Sequence, residues 1–191
     1  MCVQLLIKSD FVFRYYMKLA EKMIAAQGSG LMLVLVPLVP LLEEALAGSI
    51  ASGLRASHIR DAPHYPDELY AWMRGRVVFC SLESAASSAH RLFSCADGLD
   101  LFLIVDEAHM VTLDMGYRPD FRSAWALGSC FGPVMNTLLL TATLRPALEA
   151  DVIFDLGLEE SNSFSVIRCC HCCSRYTRYM IPLTPAPQIS Q

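Results

Sequence analysis

The stretch LFLIVDEAHM, residues 101–110, decides the fold of this chain. Five apolar residues run directly into two carboxylates, Asp106 and Glu107. A short apolar run bounded by polar residues predicts a strand that is buried on both faces of a parallel sheet. Ligands bind at the carboxyl ends of the strands in such sheets, which is where the two acids fall. The stretch therefore predicts a buried parallel strand that presents two carboxylates to a ligand.

Further apolar runs alternate with helical patterns along the chain. Strands are predicted at residues 32–36, 76–80, 101–105 and 137–140. Helices are predicted at residues 11–27, 40–53, 67–75 and 84–96. Strands that alternate with helices imply parallel pairing through right-handed crossovers. We therefore expect a three-layer α/β lobe with a mainly parallel central sheet, in which residues 101–105 form a central strand.

The composition suits a lobe of this kind and excludes several classes of protein. Of the 191 residues, 54% are hydrophobic and 18% are charged, as expected for a sheet covered on both faces. The longest apolar run, residues 31–42, is interrupted by two prolines and falls short of the roughly 20 residues that span a membrane. The first ten residues lack the apolar core and cleavage site of a signal peptide. We therefore expect no membrane association.

Net charge and cysteine content bear on partners and compartment. The net charge is −4, so any contact with nucleic acid must come from local sites rather than bulk charge. Eight cysteines without a secretion signal indicate free thiols in a reducing compartment, nuclear or cytoplasmic. The segment RCCHCCSR, residues 168–175, has two overlapping C-x-x-C spacings. A structural zinc site usually needs two separated pairs, so reduced linker cysteines are expected there rather than zinc.

The segment VDEAH, residues 105–109, matches the DEAD/DEAH-box signature of superfamily 2 helicases, and other segments resemble RecQ-type DNA helicases in the same order. Those segments are VLVPLVPLLEEAL (34–46), SGLRAS (52–57), VVFCSLESA (77–85), GYRPDF (116–121), LLLTATLRPALEADV (138–152) and CSRYTRYMI (173–181). The resemblance spans residues 8–181 and rests on order and spacing, because single motifs such as TAT are common. It implies a RecA-like first lobe of a P-loop nucleotidase at residues 1–168. A Cys-rich interlobe linker and a disordered Pro-rich tail would follow at 169–191.

The resemblance also implies roles for individual residues. In an ATP-dependent DNA helicase of this type, Asp106 would hold Mg²⁺ through water, and Glu107 would activate the water that attacks the γ-phosphate. His109 would couple this pair to the turn that links hydrolysis to strand movement. That turn consists of Thr141, Ala142 and Thr143. From the residues alone, a bare acid pair after a strand would more often cap a helix or face solvent, although DEAH after five apolar residues is much more specific. The threonines could be ordinary strand-end caps.

DNA would cross the loops that follow the strands. The residues expected along its path are Pro37, Leu38, Arg55, Glu83, Ser84, Tyr117 and Arg118. The family's aromatic-rich loop is shorter in this chain and offers chiefly Tyr117. Coupling of DNA to ATP through that loop is therefore expected to be weak.

The phosphate loop departs most from the family's pattern. Lys8 and Ser9 match the end of G-x-x-x-x-G-K-[ST], where they would meet phosphate and Mg²⁺, whereas Cys2 and Ile7 occupy the two glycine places. Glycines there permit positive φ and let backbone N–H groups approach phosphate, and an isoleucine would be strained. This alignment puts the preceding strand ahead of residue 1. Because Lys-Ser pairs are common, an ordinary surface dipeptide is an equal alternative.

Two functional hypotheses follow, one for part of an enzyme and one for a binding module. The first is a first-lobe portion of an ATP-dependent RecQ-like DNA helicase, truncated at its N-terminus and lacking the second lobe with its arginine finger. The second is a degenerate, non-catalytic lobe that binds nucleic acid or protein. Under both hypotheses we expect the isolated chain not to hydrolyse ATP. We also expect it to bind Mg-ATP with at best about millimolar affinity.

Overall fold

The structure is a computed structural model that describes residues 3–7, 30–113, 135–141, 148–155, 164–169 and 176–180. Its strands are β1 (Val3–Ile7), β2 (Leu31–Leu35), β3 (Ala56–His58), β4 (Arg76–Cys80), β5 (Leu101–Val105), β6 (Met135–Thr141), β7 (Phe164–Cys169) and β8 (Tyr176–Met180). Its helices are α1 (Val39–Ala51), α2 (Pro66–Met73), α3 (Leu82–Ser94), α4 (His109–Leu113) and α5 (Glu149–Asp155), with a 3₁₀ turn at Ile59–Asp61.

The eight described strands form one sheet in the order β3-β4-β2-β5-β6-β1-β7-β8. Every neighbouring pair is parallel except β7 and β8, which are antiparallel. β5 lies between β2 and β6, and four of its five residues are buried. The prediction of a mainly parallel sheet with residues 101–105 as a central strand is therefore confirmed.

Helices cover the sheet on both faces, which explains why its strands read as continuous apolar runs. Alternate residues of a strand point to opposite faces. In β2, Leu31, Leu33 and Leu35 join the core that contains α2 and α3, whereas Met32 and Val34 join the core that contains α1. The result is the three-layer arrangement expected from the sequence.

The helices begin and end close to their predicted positions. α1, α2 and α3 correspond to the predictions at residues 40–53, 67–75 and 84–96. α3 begins two residues earlier than predicted because the hydroxyl of Ser81 caps it, accepting the Ser84 N–H at 3.2 Å. The helix predicted at 11–27 lies outside the described residues.

The apolar run at residues 31–42 is divided between β2 and the first turn of α1. The longest described helices, α1 and α3, have 13 residues each. A helix needs about 20 residues to span a bilayer. Within the described ranges, no helix is long and apolar enough to do so.

β1 corrects the expected alignment of the N-terminal residues. Val3–Ile7 is a strand that pairs in parallel with β6 on one side and β7 on the other, with Ile7 opposite Thr141. The alignment that placed the phosphate-loop pattern over these residues, with its supporting strand ahead of residue 1, is therefore wrong. Apolar and β-branched residues fit a strand inside a sheet better than an open loop. β1 thus ends at Ile7, directly before Lys8 in the sequence.

The sheet continues past the lobe boundary expected at residue 168. β8 lies within the segment expected to be a linker, and it pairs antiparallel with β7, with Tyr176 opposite Cys169. The region expected to be a linker therefore supplies one strand to the sheet. Of the four cysteines in the two C-x-x-C spacings, Cys169 ends β7, and the other three, Cys170, Cys172 and Cys173, lie outside the described residues. The Pro-rich tail lies outside them as well.

Candidate functional site

The carboxyl ends of the parallel strands meet at one edge of the sheet, and the DEAH segment lies in the middle of that edge. The Asp106 N–H donates to the carbonyl of Leu35, the last residue of β2, at 2.9 Å. The Ala108 N–H donates to the carbonyl of Leu140 in β6 at 2.8 Å. The segment is therefore tied through its backbone to both strands that flank β5. This anchoring holds the acid pair at a defined place on the edge.

The backbone turns sharply at the acid pair. Among the non-glycine residues in the described ranges, Glu107 alone has a positive φ, 47°. Its N–H donates to Asp106 Oδ1 at 3.0 Å, and its carbonyl accepts the Met110 N–H at 2.8 Å. A left-handed conformation costs an L residue roughly 1–2 kcal/mol. Such conformations cluster at functional sites, where the surrounding structure holds them in place.

His109 joins the acid pair to the end of β6. Its Nδ1 lies 2.8 Å from Thr141 Oγ1 and 3.5 Å from Glu107 Oε2. Thr141 is fully buried, and the side chains of His109 and Glu107 are only 16% and 21% exposed. A protonated Nδ1 can donate to either oxygen, whereas an unprotonated Nδ1 accepts the Thr141 hydroxyl. The imidazole therefore connects the carboxylate on one strand end to the hydroxyl on the next.

A contact between helices that the sequence did not suggest supports this arrangement. Thr112 in α4 donates its hydroxyl to Asp155 Oδ2 in α5 at 2.7 Å. α4 follows the DEAH segment, and α5 follows β6 in the chain. The hydrogen bond therefore links the helix after the acid pair to the helix after Thr141. The two residues are 43 positions apart, so no local pattern could have paired them.

A small pocket opens beside the acid pair. It is lined by Leu35, Val36, Pro37, Leu82, Val105, Asp106, Glu107, Met110 and Val111. Its walls are mainly apolar, and the two carboxylates are its charged groups. Concave apolar sites with a few convergent polar groups are typical of ligand sites. The pocket therefore places an apolar wall beside the two carboxylates.

Several of the predicted site residues lie around this pocket. Pro37 lines it, and Leu38 follows as an exposed residue before α1. Glu83 and Ser84 lie in the first turn of α3, after β4, at the same edge. The structure therefore brings these residues to the edge that carries Asp106. Lys8, Ser9, Tyr117, Arg118, Ala142 and Thr143 lie outside the described residues.

Arg55 lies at the amino ends of the strands, on the side of the sheet opposite the acid pair. It precedes β3, and Ala56 of β3 aligns with Val77 of the parallel β4. Arg55 is therefore at the amino ends of the strands, away from the acid pair. The expectation that it lies with the loops after the strands is wrong, because the segment SGLRAS leads into a strand rather than out of one.

The donor set at the acid pair fits a hydrated magnesium ion. Mg²⁺ binds through one or two carboxylates and completes its shell with water and substrate phosphate oxygens. Asp106 and Glu107 supply such carboxylates on adjacent residues. In the described part of the chain, no group of three or more His, Cys, Asp or Glu side chains converges as a metal site. A cation at the acid pair would therefore draw most of its ligands from water and phosphate.

The strand order of the sheet and the residues at the carboxyl ends of its strands together define a class of fold. It is an α/β lobe with a largely parallel sheet, in which β6 separates the acid-bearing β5 from β1. Parallel strands are about 4.8 Å apart, so the end of β1 lies about 10 Å from the end of β5. Along this edge, the acid pair at the end of β5 is followed by the buried Thr141 at the end of β6 and then by the end of β1, which precedes Lys8 in the sequence. This arrangement is a RecA-like α/β fold.

Comparison with solved structures gives the same fold. The chain is similar to the crystal structure of the Pyrococcus furiosus Hef helicase domain, with a TM-score of 0.55 and 17% sequence identity. The similarity covers 87% of this chain and 34% of that chain, so this chain spans about a third of the Hef chain it matches. No family model matches the sequence. The chain therefore shares the fold of that helicase domain, in agreement with the prediction of a RecA-like α/β lobe.

Proposed function

We propose that this chain is a first lobe of an ATP-dependent RecQ-like DNA helicase that keeps the acid pair but lacks a working phosphate loop. The observation that carries the proposal is the contact of His109 with both Thr141 and Glu107. A histidine that contacts both the acid pair and the next strand end can relay a change at one to the other. The order of the RecQ-like segments supports the same family.

In this proposal each residue of the edge has one task. Bound Mg-ATP supplies the phosphoryl group that is transferred. Asp106 would hold the hydrated cation, and the Glu107 carboxylate would accept a proton from the attacking water. His109 transmits the state of the Glu107 carboxylate to Thr141. Lys8 and Ser9, which follow β1 in the sequence, would meet phosphate and Mg²⁺.

The phosphate loop is where the proposal departs from a working enzyme. In P-loop proteins the pattern runs strand, then G-x-x-x-x-G, then Lys-[Ser/Thr] and a helix. Here β1 extends to Ile7, immediately before Lys8. No residues are left between strand and lysine for a curled loop of backbone N–H groups, which supplies much of the phosphate affinity. We therefore propose that the unmodified lobe binds Mg-ATP with at best about millimolar affinity, equivalent to about −4 kcal/mol.

The absence of residues between β1 and Lys8 for a phosphate loop also favours a second candidate function. A lobe without a phosphate loop could persist as a degenerate, non-catalytic module that binds nucleic acid or protein. The two candidates differ at the acid pair. In the first, Asp106 and Glu107 still form a cation and nucleotide site. In the second, they are only structural.

Completing the loop separates the two candidates. We would insert a G-x-x-x-x-G segment between Ile7 and Lys8, and use as control the same insertion with alanine in both glycine places. If the edge is a nucleotide site, calorimetry should show Mg-ATP binding at least about tenfold tighter in the glycine variant. Adding Asp106→Asn should remove that gain. Equal affinities in two folded insertion variants would refute the nucleotide site and favour the second candidate.

A further inference from the structure

The edge of the sheet opposite the acid pair carries a group of arginines. Arg55 precedes β3, Arg76 begins β4, and Arg74 follows the last residue of α2, two residues before β4 begins. Because β3 and β4 are parallel with Ala56 opposite Val77, Arg55 and Arg76 occupy neighbouring positions on adjacent strands. The Arg55 Nη1 also donates to the backbone carbonyl of Arg74 at 3.3 Å. We call these three residues the arginine surface.

Arg76 is held in a fixed orientation within this surface. Its Nε donates to the carbonyl of Trp72 at 2.6 Å, and its Nη1 donates to the Ser57 hydroxyl. Its guanidinium lies 4.8 Å from the centroid of the Trp72 ring, at cation–π distance. Burial, and then the charge of Arg55, lower the pKa of Arg76. A guanidinium has five N–H donors, and these two bonds use two of them.

Among the residues that the structure describes, no carboxylate pairs with the positive charge of the arginine surface. Within the described ranges, no acidic side chain lies at ion-pair distance from any of its three guanidinium groups. Arg60, by contrast, contacts Glu43 at 2.8 Å. Asp100 is at the same edge but precedes β5, with β2 between β5 and β4. Like charges at neighbouring positions across strands are destabilising. A bound anion would offset that cost.

We propose that the arginine surface binds phosphate groups of a nucleic-acid backbone. The planar guanidinium matches two phosphate oxygens at once and is the preferred group for that recognition. Arg55 and Arg74 are exposed and can reach a ligand, while Arg76 is already oriented by Trp72. The chain as a whole is acidic at −4, so binding of a polyanion requires a local surface of this kind.

This surface is independent of the proposed nucleotide site. The acid pair lies at the carboxyl ends of the strands, whereas the arginine surface lies at their amino ends. Nucleic acid held at the amino ends would need neither ATP nor Mg²⁺. The inference therefore survives if the proposed function fails, and it can be tested with both ligands left out.

The test measures the anisotropy of a dye-labelled single-stranded oligonucleotide over a range of salt concentrations. Each phosphate contact contributes about 0.7 to the slope of log K against log salt for single strands. Arg55→Gln and Arg74→Gln should each weaken binding and flatten the slope by about that amount. Arg55→Lys, which keeps the charge, should retain the slope. Arg60→Gln removes the same charge elsewhere on the surface and should change neither quantity.

Competition with inorganic pyrophosphate distinguishes the source of the phosphate. If pyrophosphate does not displace the oligonucleotide at equal phosphate concentration, the surface recognises a polynucleotide backbone, as proposed. Displacement at that concentration would support a phosphate site but overturn its assignment to nucleic acid. The proposal is also overturned if the unmodified chain does not bind at low salt. An equal loss of oligonucleotide affinity in the Arg60→Gln control and in Arg55→Gln would overturn the proposal as well. Thermal melts of every variant ensure that folded proteins are compared.

Discussion

At the scale of single residues, Glu107 combines a chemical group with a strained backbone. Its φ of 47° lies in the left-handed region, which a residue with a side chain rarely adopts. The hydrogen bonds of Asp106 and Ala108 to the strands on either side hold the turn in this shape. The carboxylate is thereby directed towards His109, 3.5 Å away. The strained backbone of Glu107 and its contact with His109 therefore both result from the same turn.

Two substitutions at this position separate the strain from the contact. Glu107→Gly and Glu107→Ala both remove the carboxylate, but only glycine adopts a positive φ without cost. We expect the glycine variant to be more stable than the alanine variant by about 1 kcal/mol. Urea unfolding of the two variants measures the difference. An alanine variant as stable as the glycine variant would show that the turn is not strained.

Thr137 is a second residue whose environment makes a prediction. It is 3% exposed in β6, and its hydroxyl has no hydrogen-bond partner in the part of the chain that the structure describes. A buried polar group without a partner costs about 1–3 kcal/mol. Thr137→Val keeps the shape and removes the hydroxyl, so the free energy of unfolding should rise by about 1 kcal/mol.

Thr141, on the same strand, is the matched comparison for Thr137. It is equally buried, but its hydroxyl contacts His109 at 2.8 Å. Thr141→Val should therefore lower the free energy of unfolding by about 1 kcal/mol, the opposite sign to Thr137→Val. If both valine variants shift stability in the same direction, the hydrogen bonding at the two positions has been assigned incorrectly.

At the scale of elements, the 3₁₀ turn after β3 depends on the charge state of a histidine. His58 Nδ1 accepts the Arg60 N–H at 3.0 Å, and Asp61 Oδ2 accepts the His58 N–H at 3.3 Å. Burial first, and then the charge of Arg60, lower the pKa of His58 below its usual 6.5, against smaller opposing effects of Asp61 and Glu43. Protonation of Nδ1 would also remove the acceptor that caps the turn.

The sign of the resulting pH dependence follows from the lowered pKa. The unfolded chain binds the proton more readily than the folded chain, so protonation favours unfolding. Stability from His58 is complete above pH 6.5 and is lost as the pH falls through the lower folded-state pKa. His58→Asn keeps a capping side chain without titrating in this range. Thermal melts should show the unmodified chain losing more stability than this variant between neutral and mildly acidic pH. Parallel curves would contradict the assignment.

The elements themselves differ in how well the sequence predicted them. β4 and β5 match residues 76–80 and 101–105 without a shift, because each is an apolar run buried on both faces. β1 was missed because a phosphate-loop pattern was aligned over residues whose apolar side chains favour a strand. Arg55 was expected at the wrong ends of the strands. A sequence motif shows which residues are neighbours along the chain, but it does not show at which end of a strand they lie. The bond between Thr112 and Asp155 had no local signal.

At the scale of the whole molecule, two edges of one sheet carry opposite charge. The carboxyl edge presents Asp106 and Glu107 beside an apolar pocket, and the amino edge presents the arginine surface. Parallel strands make this separation possible, because all their carboxyl ends meet on one side. A nucleotide site and a polyanion site can therefore exist on one lobe without competing for the same groups.

The most direct test of the claim that the phosphate loop is missing is calorimetric titration of the unmodified chain with Mg-ATP. The acid pair, His109 and Thr141 form a connected edge, but β1 runs into Lys8 without a glycine loop. Binding should therefore be no tighter than about millimolar, and no phosphate release above that of the Glu107→Gln variant should be detectable. A dissociation constant in the micromolar range, about 4 kcal/mol more favourable, would contradict the claim that the phosphate loop is missing.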